Sequence, residues 1–179
     1  CGAVTRPETG SLCFQAAFPA MAELLKSSGR VLEAALYYAA LDSCRFHDVE
    51  LGCSFQTSSN GEERPREVDV IACSGKTAYF ISCKMGGFLQ KNCKLDTKKY
   101  QFVLDEIDTA ASLFAEGARV VPVLAAPHIP MQNSKGNASD AFLRAQKSGV
   151  ILLGTEDFQN SQALLQALIR LAGGEEAEE

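Results

Sequence analysis

The chain is poor in the residues that would hold zinc or run histidine chemistry. It has two histidines, His47 and His128, and no Cys-x-x-Cys pair among its seven cysteines, so no zinc-ligand spacing exists. Neither histidine joins a serine in a triad pattern, and no glycine-rich phosphate loop occurs. No run of 18 apolar residues and no signal peptide is visible, which argues against membrane insertion and secretion. The cysteine count is odd, and Cys53, Cys73 and Cys83 fall inside expected strands. They read as small apolar residues of a protein kept in a reducing cytoplasm, not as a disulfide framework. An excess of basic charge is missing too. Net charge is −5, and Glu175, Glu176, Glu178 and Glu179 hold four of the 22 acids, leaving 18 against 17 Lys and Arg. Bulk electrostatics therefore identify no nucleic-acid binder; only a local patch could.

What remains is an ordinary globular composition, 46% hydrophobic and 22% charged over 179 residues, enough for one domain with a sizeable core. Residues 1–10 lack periodicity and read as a loose leader. From about 12 to 27 apolar positions recur at helical spacing, with Pro19 as a kink. Residues 1–28 are thus a leader or linker helix, or the end of a preceding domain, and the start at Cys1 is in keeping with a piece of a longer protein. A second helix begins at Arg30 with an apolar face of Val31, Leu32, Ala35, Leu36, Tyr38, Ala39 and Ala40. Glu33 falls in its expected first turn, where a carboxylate suits the helix dipole.

Strand alternation runs over 46–57, and Asn60-Gly61 supplies a turn. Two further strands over 66–84 meet at Ser74-Gly75-Lys76, making three antiparallel strands in succession. A helix is expected over 97–116, capped by Asp96 or Thr97 and stopped by Gly117. The apolar run 119–125 predicts a strand covered on both faces, in which Pro122 argues for an edge or a bulge. A long loop (126–138) holding His128, a helix near 139–147, a strand at 150–153 and a helix near 160–172 follow. Residues 174–179 read as a disordered acidic tail. Helix, helix, three strands, helix, strand, helix, strand, helix predicts an α/β fold: a mixed sheet flanked by helices in three layers, α/β/α, with right-handed crossovers. The domain proper is 29–173, without repeats.

Chemistry concentrates in the hairpin over 66–84. A strand has a side-chain period of two, so Glu67 and Asp69 share a face, as do Ser82 and Lys84. If the register sets those faces together, two carboxylates, a hydroxyl and an ammonium converge. Such a set can hold a divalent cation and polarise a water beside it. The plain alternatives are exposed strand acids and a lysine leading the chain back to water. Lys91, Lys94, Lys98 and Lys99 follow the hairpin. Basic residues at a helix start oppose the dipole, which favours guidance of a phosphate backbone over a merely solvated helix start.

Glu67-x-Asp69, a dozen residues, and then Ser82-Cys83-Lys84 resemble the PD-(D/E)xK nuclease superfamily. With Gly29 to Glu33 upstream and Met85-Gly86-Gly87 after the lysine, the pattern over about 29–125 is most similar to the nuclease domain of CARF-fused CRISPR ancillary effectors. The resemblance implies a restriction-endonuclease-like fold and metal-dependent cleavage of DNA or RNA. It further implies Mn2+ or Mg2+ held by Asp69, Glu67 and Glu33, with Lys84 beside the scissile phosphate. A homodimer, an N-terminal CARF sensor domain in the full-length chain and a role in antiviral defence come with it. Ser82 stands where the superfamily has its second acid, and a hydroxyl is a weaker ligand than a carboxylate for a hard cation. Two outcomes follow: a rearranged working site, or a degenerate nuclease-like domain that binds nucleic acid or dimerises without cutting.

Overall fold

Apolar side chains at alternate positions of the central hairpin build the sheet, and helical stripes on either side cover it. The computed structural model describes residues 4–5, 13–14, 28–59, 62–86, 88–89, 94–114 and 119–173. The acidic tail, Lys91, Gly117 and most of the leader lie outside these residues. Two short strands, β1 (Val4–Thr5) and β2 (Cys13–Phe14), pair antiparallel. This corrects the expected leader and helix at those positions: β-branched Val4 and Thr5 suit an extended ladder and give Cys13 and Phe14 a partner.

Helix α1 (Ser28–Asp42) buries Leu32, Leu36 and Ala40, spaced i, i+4, i+8, and leaves Val31 and Tyr38 exposed, so its apolar face is narrower than the sequence implied. It also starts two residues early. Glu33 is therefore not in the first turn, and the helix dipole, which fades beyond that turn, does not account for it.

Strands β3 (Asp48–Ser59), β4 (Glu62–Ser74), β5 (Thr77–Cys83), β6 (Arg119–Ala125) and β7 (Ile151–Leu153) form one sheet in that order. The first three are antiparallel as expected, and β5, β6 and β7 are parallel. Gly75 takes the first central position of the β4–β5 turn at φ +57°, the placement glycine has in a type II′ hairpin. Helix α2 (Thr97–Ser112) joins β5 to β6, with the Asp96 carboxylate capping the Lys99 N–H at 3.2 Å. Helix α3 (Asp140–Lys147) joins β6 to β7 and is capped by Ser139. A 3-10 turn (Thr155–Phe158) leads into α4 (Ser161–Gly173).

The two faces of the sheet carry separate cores. Val70, Ala72, Tyr79, Ile81 and Val123 pack with Leu32 and Leu36 of α1 and Leu168 of α4. Leu124 and Leu152 pack with Tyr100, Val103 and Leu104 of α2 and Ala141 of α3. This is the three-layer mixed α/β arrangement read from the sequence. Pro122 introduces no bulge, since it pairs in register with Phe80. It stands where β7, which begins opposite Val123, has not yet started, so β6 is internal yet locally an edge there. Among the described residues no helix is long and apolar enough to cross a membrane.

One irregularity positions the site. The β3–β4 register runs from Asp48↔Cys73 to Ser59↔Glu62 and skips only the facing residues Gly52 and Asp69. Gly52 lies at φ +65°, a left-handed conformation that a side chain disfavours. An added Cβ at Gly52 would meet no atom within 4 Å, so the cost of Gly52→Ala is conformational and should be about 1 kcal/mol. Thermal melting should show Tm lower by roughly 2–4 °C; an unchanged Tm would mean the strand does not turn at Gly52.

Candidate active site

Strand β4 pairs with β5 only from Ser74↔Thr77 to Val70↔Ile81. Beyond that point the two strands fork, and Asp69 is the first β4 residue past the last pair. Its side chain closes the gap. The Cys83 backbone N–H donates to Asp69 Oδ2 at 2.6 Å, and the Ser82 hydroxyl donates to the same oxygen at 3.3 Å. Both bonds fall on Oδ2, so the lone pairs of Oδ1 are left for another partner.

Asp69, Glu67, Ser82 and Lys84 line one cavity of about 470 Å3, walled opposite by Glu106, Ile107 and Ala110 of α2. Arg66 and Val68 reach it as well, so four consecutive β4 residues face one space. A straight strand would send only alternate side chains there; the break at Gly52 and Asp69 explains the difference. Phe80 forms part of the lining and packs on Phe114, 5.4 Å between ring centroids, while Phe55 stacks beside it at 6.1 Å. An apolar wall of this kind keeps charges near it poorly solvated.

Glu33 does not line the cavity, yet it stands within its field. Partial burial, and then the negative charges of Asp69 and Glu67, raise the Glu33 carboxyl above its ordinary range, against the pull of Arg30 and Lys84. Glu33, Glu67, Asp69 and Lys84 are thus brought into one electrostatic neighbourhood. Cys83 is turned into the α1–α4 core, where burial pushes its thiol far up; it offers the cavity only its backbone N–H. Lys94, Lys98 and Lys99 are exposed and none lines the cavity. Lys98 and Lys99 lie seven to eight residues before Glu106, roughly 10–12 Å along the helix axis. Tyr100 is core, with its hydroxyl on the Ala141 carbonyl, and the Gln101 amide is spent on Asp105 and Ser148.

Sequence reasoning missed Arg66 and Glu106. Strand alternation assigns Arg66 to the face opposite Glu67, and only the fork redirects it. Glu106 reads as a surface helix acid; its position flanking the buried Ile107 was the available signal. Among the described residues no three Asp, Glu, His or Cys side chains form a ready cage for a cation. The donors at hand are nonetheless hard oxygens, Asp69 Oδ1 and the Glu67 carboxylate, with Glu33 behind them. These are the residues that would hold a divalent cation of the magnesium or manganese class, which takes hard oxygen ligands.

Solved structures share this fold. Protein VC1899 from Vibrio cholerae aligns with a TM-score of 0.60 at 18% identity, over 96% of this chain and 40% of that one. Can2 from Sulfobacillus thermosulfidooxidans, in complex with cyclic tetra-adenylate, aligns at 0.57 and 15% identity, over 94% of this chain and 42% of that one. The small subunit of the heterodimeric restriction endonuclease R.BspD6I gives a TM-score of 0.44 at 13% identity, over 85% of each chain. The present chain spans about two fifths of the first two. No family model and no curated protein matches it.

The Glu33 shift has a sign that can be checked. A carboxyl raised in the folded state costs stability as pH rises through its folded pKa, and that cost is relieved as pH falls below it. Glu33→Gln should therefore raise Tm by roughly 1–3 °C near neutral pH, and the gain should vanish near pH 4, where the native carboxyl is largely protonated. A pH-independent difference in melting would remove Glu33 from the field of Asp69 and Glu67.

Proposed function

We propose that the chain is a metal-dependent nuclease domain hydrolysing phosphodiester bonds of DNA or RNA, the effector part of a CRISPR-associated or related defence protein. The observation carrying this reading is the shared cavity of Asp69 and Lys84 at the forked end of the hairpin. Asp69 and Glu67, assisted by Glu33, would hold Mn2+ or Mg2+. Bound there, the ion supplies a water of lowered pKa and positive charge beside the phosphate.

The chain's own residues do the rest. The Lys84 ammonium faces the cavity and stabilises negative charge growing on the phosphate oxygens. The Ser82 hydroxyl and the Cys83 N–H hold the Asp69 carboxylate in one orientation, so Oδ1 is preset for its partner. The apolar part of the lining, Phe80 and Ile107, limits water and strengthens those interactions. The likeness to the larger Can2 chain, whose structure holds cyclic tetra-adenylate, fits a full-length protein with a further, ligand-binding part; that this part is an N-terminal CARF sensor and that the protein is a homodimer rest on the sequence resemblance.

A second reading has its own support. Ser82 replaces an acid, Oδ2 of Asp69 is already hydrogen-bonded, and no three-acid cage exists among the described residues. A domain that binds nucleic acid or dimerises without cutting fits those facts.

Incubation with single-stranded and duplex DNA and RNA in Mn2+ separates the two. Cleavage that falls at least about 100-fold in Asp69→Asn and in Lys84→Ala is the expected result; binding without cleavage, in the full-length protein with cyclic tetra-adenylate present, would establish the module instead. A second measurement needs no turnover. Ser82→Asp should lower Tm in EDTA, because an acid is set against Asp69, and Mn2+ should raise Tm more in this variant than in the wild type. Equal responses to Mn2+ would count against a cation at this site.

A further inference from the structure

Helix α2 sends Tyr100, Val103, Leu104, Ile107 and Ala111 into the core. Its outer flank has a different composition. Lys99, Phe102 and Glu106 follow at i, i+3 and i+7, and Lys98 stands one turn before Phe102, so helical spacing sets all four on one stripe. Glu106 lines the cavity that holds Asp69 and Lys84. Phe102 is the next residue outward, one turn or about 6 Å along the axis, and it leaves 68% of its surface in solvent.

A single exposed aromatic is unremarkable by itself. Its setting gives it meaning. Lys98 and Lys99 are exposed on one side of it; the Asp96 carboxylate is engaged by the Lys99 backbone N–H as the helix cap. On the other side the stripe runs into the candidate active site. Cations beside an open ring, continuous with a polar cavity, are the components of a surface on which nucleotides stack while their phosphates are neutralised.

We infer that Lys98, Lys99 and Phe102 form a ledge for single-stranded nucleic acid, with a base stacked on the Phe102 ring and the neighbouring phosphates at the two lysines. The inference deepens the nuclease reading and rests on it for the direction of the strand, from ledge to cavity. A duplex cannot bind this way, because its base faces are already stacked on one another.

The chain contains no tryptophan, so Phe102→Trp installs a lone indole on the ledge. In EDTA, oligothymidylate and oligouridylate single strands should quench its emission at concentrations where a duplex of equal length leaves it unchanged. Phe102→Ala should weaken single-strand binding, read by anisotropy, by roughly 5- to 150-fold and leave duplex binding unaltered. Lys98→Ala with Lys99→Ala should flatten the dependence of single-strand affinity on salt. Emission unmoved by any oligonucleotide, as a protein-contact role for Phe102 would produce, or wild-type binding by Phe102→Ala, overturns the ledge. Quenching without cleavage in Mn2+, by the full-length protein with cyclic tetra-adenylate present, would uphold the ledge and sink the nuclease reading; cleavage with normal binding by Phe102→Ala would do the reverse.

Discussion

Everything at the cavity depends on how one carboxylate closes a fork in the sheet. Past Val70↔Ile81 the two strands of the hairpin part, and a backbone N–H at Cys83 would be left without a ladder partner. Asp69 supplies one. A buried amide without an acceptor costs on the order of 1–3 kcal/mol, and a hydrogen bond to an ionised group is among the stronger ones available. The same contact that satisfies the fork therefore fixes the orientation of the residue on which the proposed chemistry rests. Gly52 makes this possible from the other strand, since its left-handed turn falls opposite Asp69 and interrupts the register there.

The fork also concentrates charge of one sign. Glu67 and Asp69 face the cavity from β4, Glu106 faces it from α2, and Glu33 stands close enough to be raised by the first two. Arg66 and Lys84 are the cations that share the lining. A chain optimised for stability alone would not set these acids together; functional sites commonly carry such tension, and the surrounding packing holds it in place. Here that packing is substantial, with separate apolar cores on both faces of the sheet and Tyr79 anchored to α4 through the Leu171 carbonyl.

Ser82 is the residue on which the proposed nuclease reading turns. In place of repulsion between two acids, its hydroxyl gives Asp69 a hydrogen bond. Under the proposed nuclease reading, a hydroxyl there in place of an acid would make the hairpin end easier to fold and cation binding harder. Lys94, Lys98 and Lys99 are exposed and stand outside the cavity, the last two in the first turn of α2.

The residue order was sufficient for the three-layer α/β architecture, the hairpin, a helix cap at Asp96 or Thr97, and the placing of Glu67, Asp69, Ser82 and Lys84 near one another. Those features follow from periods of two and 3.6 residues and from short-range hydrogen bonds, which are local properties of a chain. The start of α1, and with it the role of Glu33, was not legible, because a helix N-terminus is set by marginal local energies. The two short strands near the N-terminus were hidden for a related reason: a ladder needs a partner that periodicity does not name. Arg66 and Glu106 entered the site only through folding. A twist at Gly52 and a helix laid across the sheet bring together side chains 40 residues apart in sequence, and no local pattern encodes that meeting.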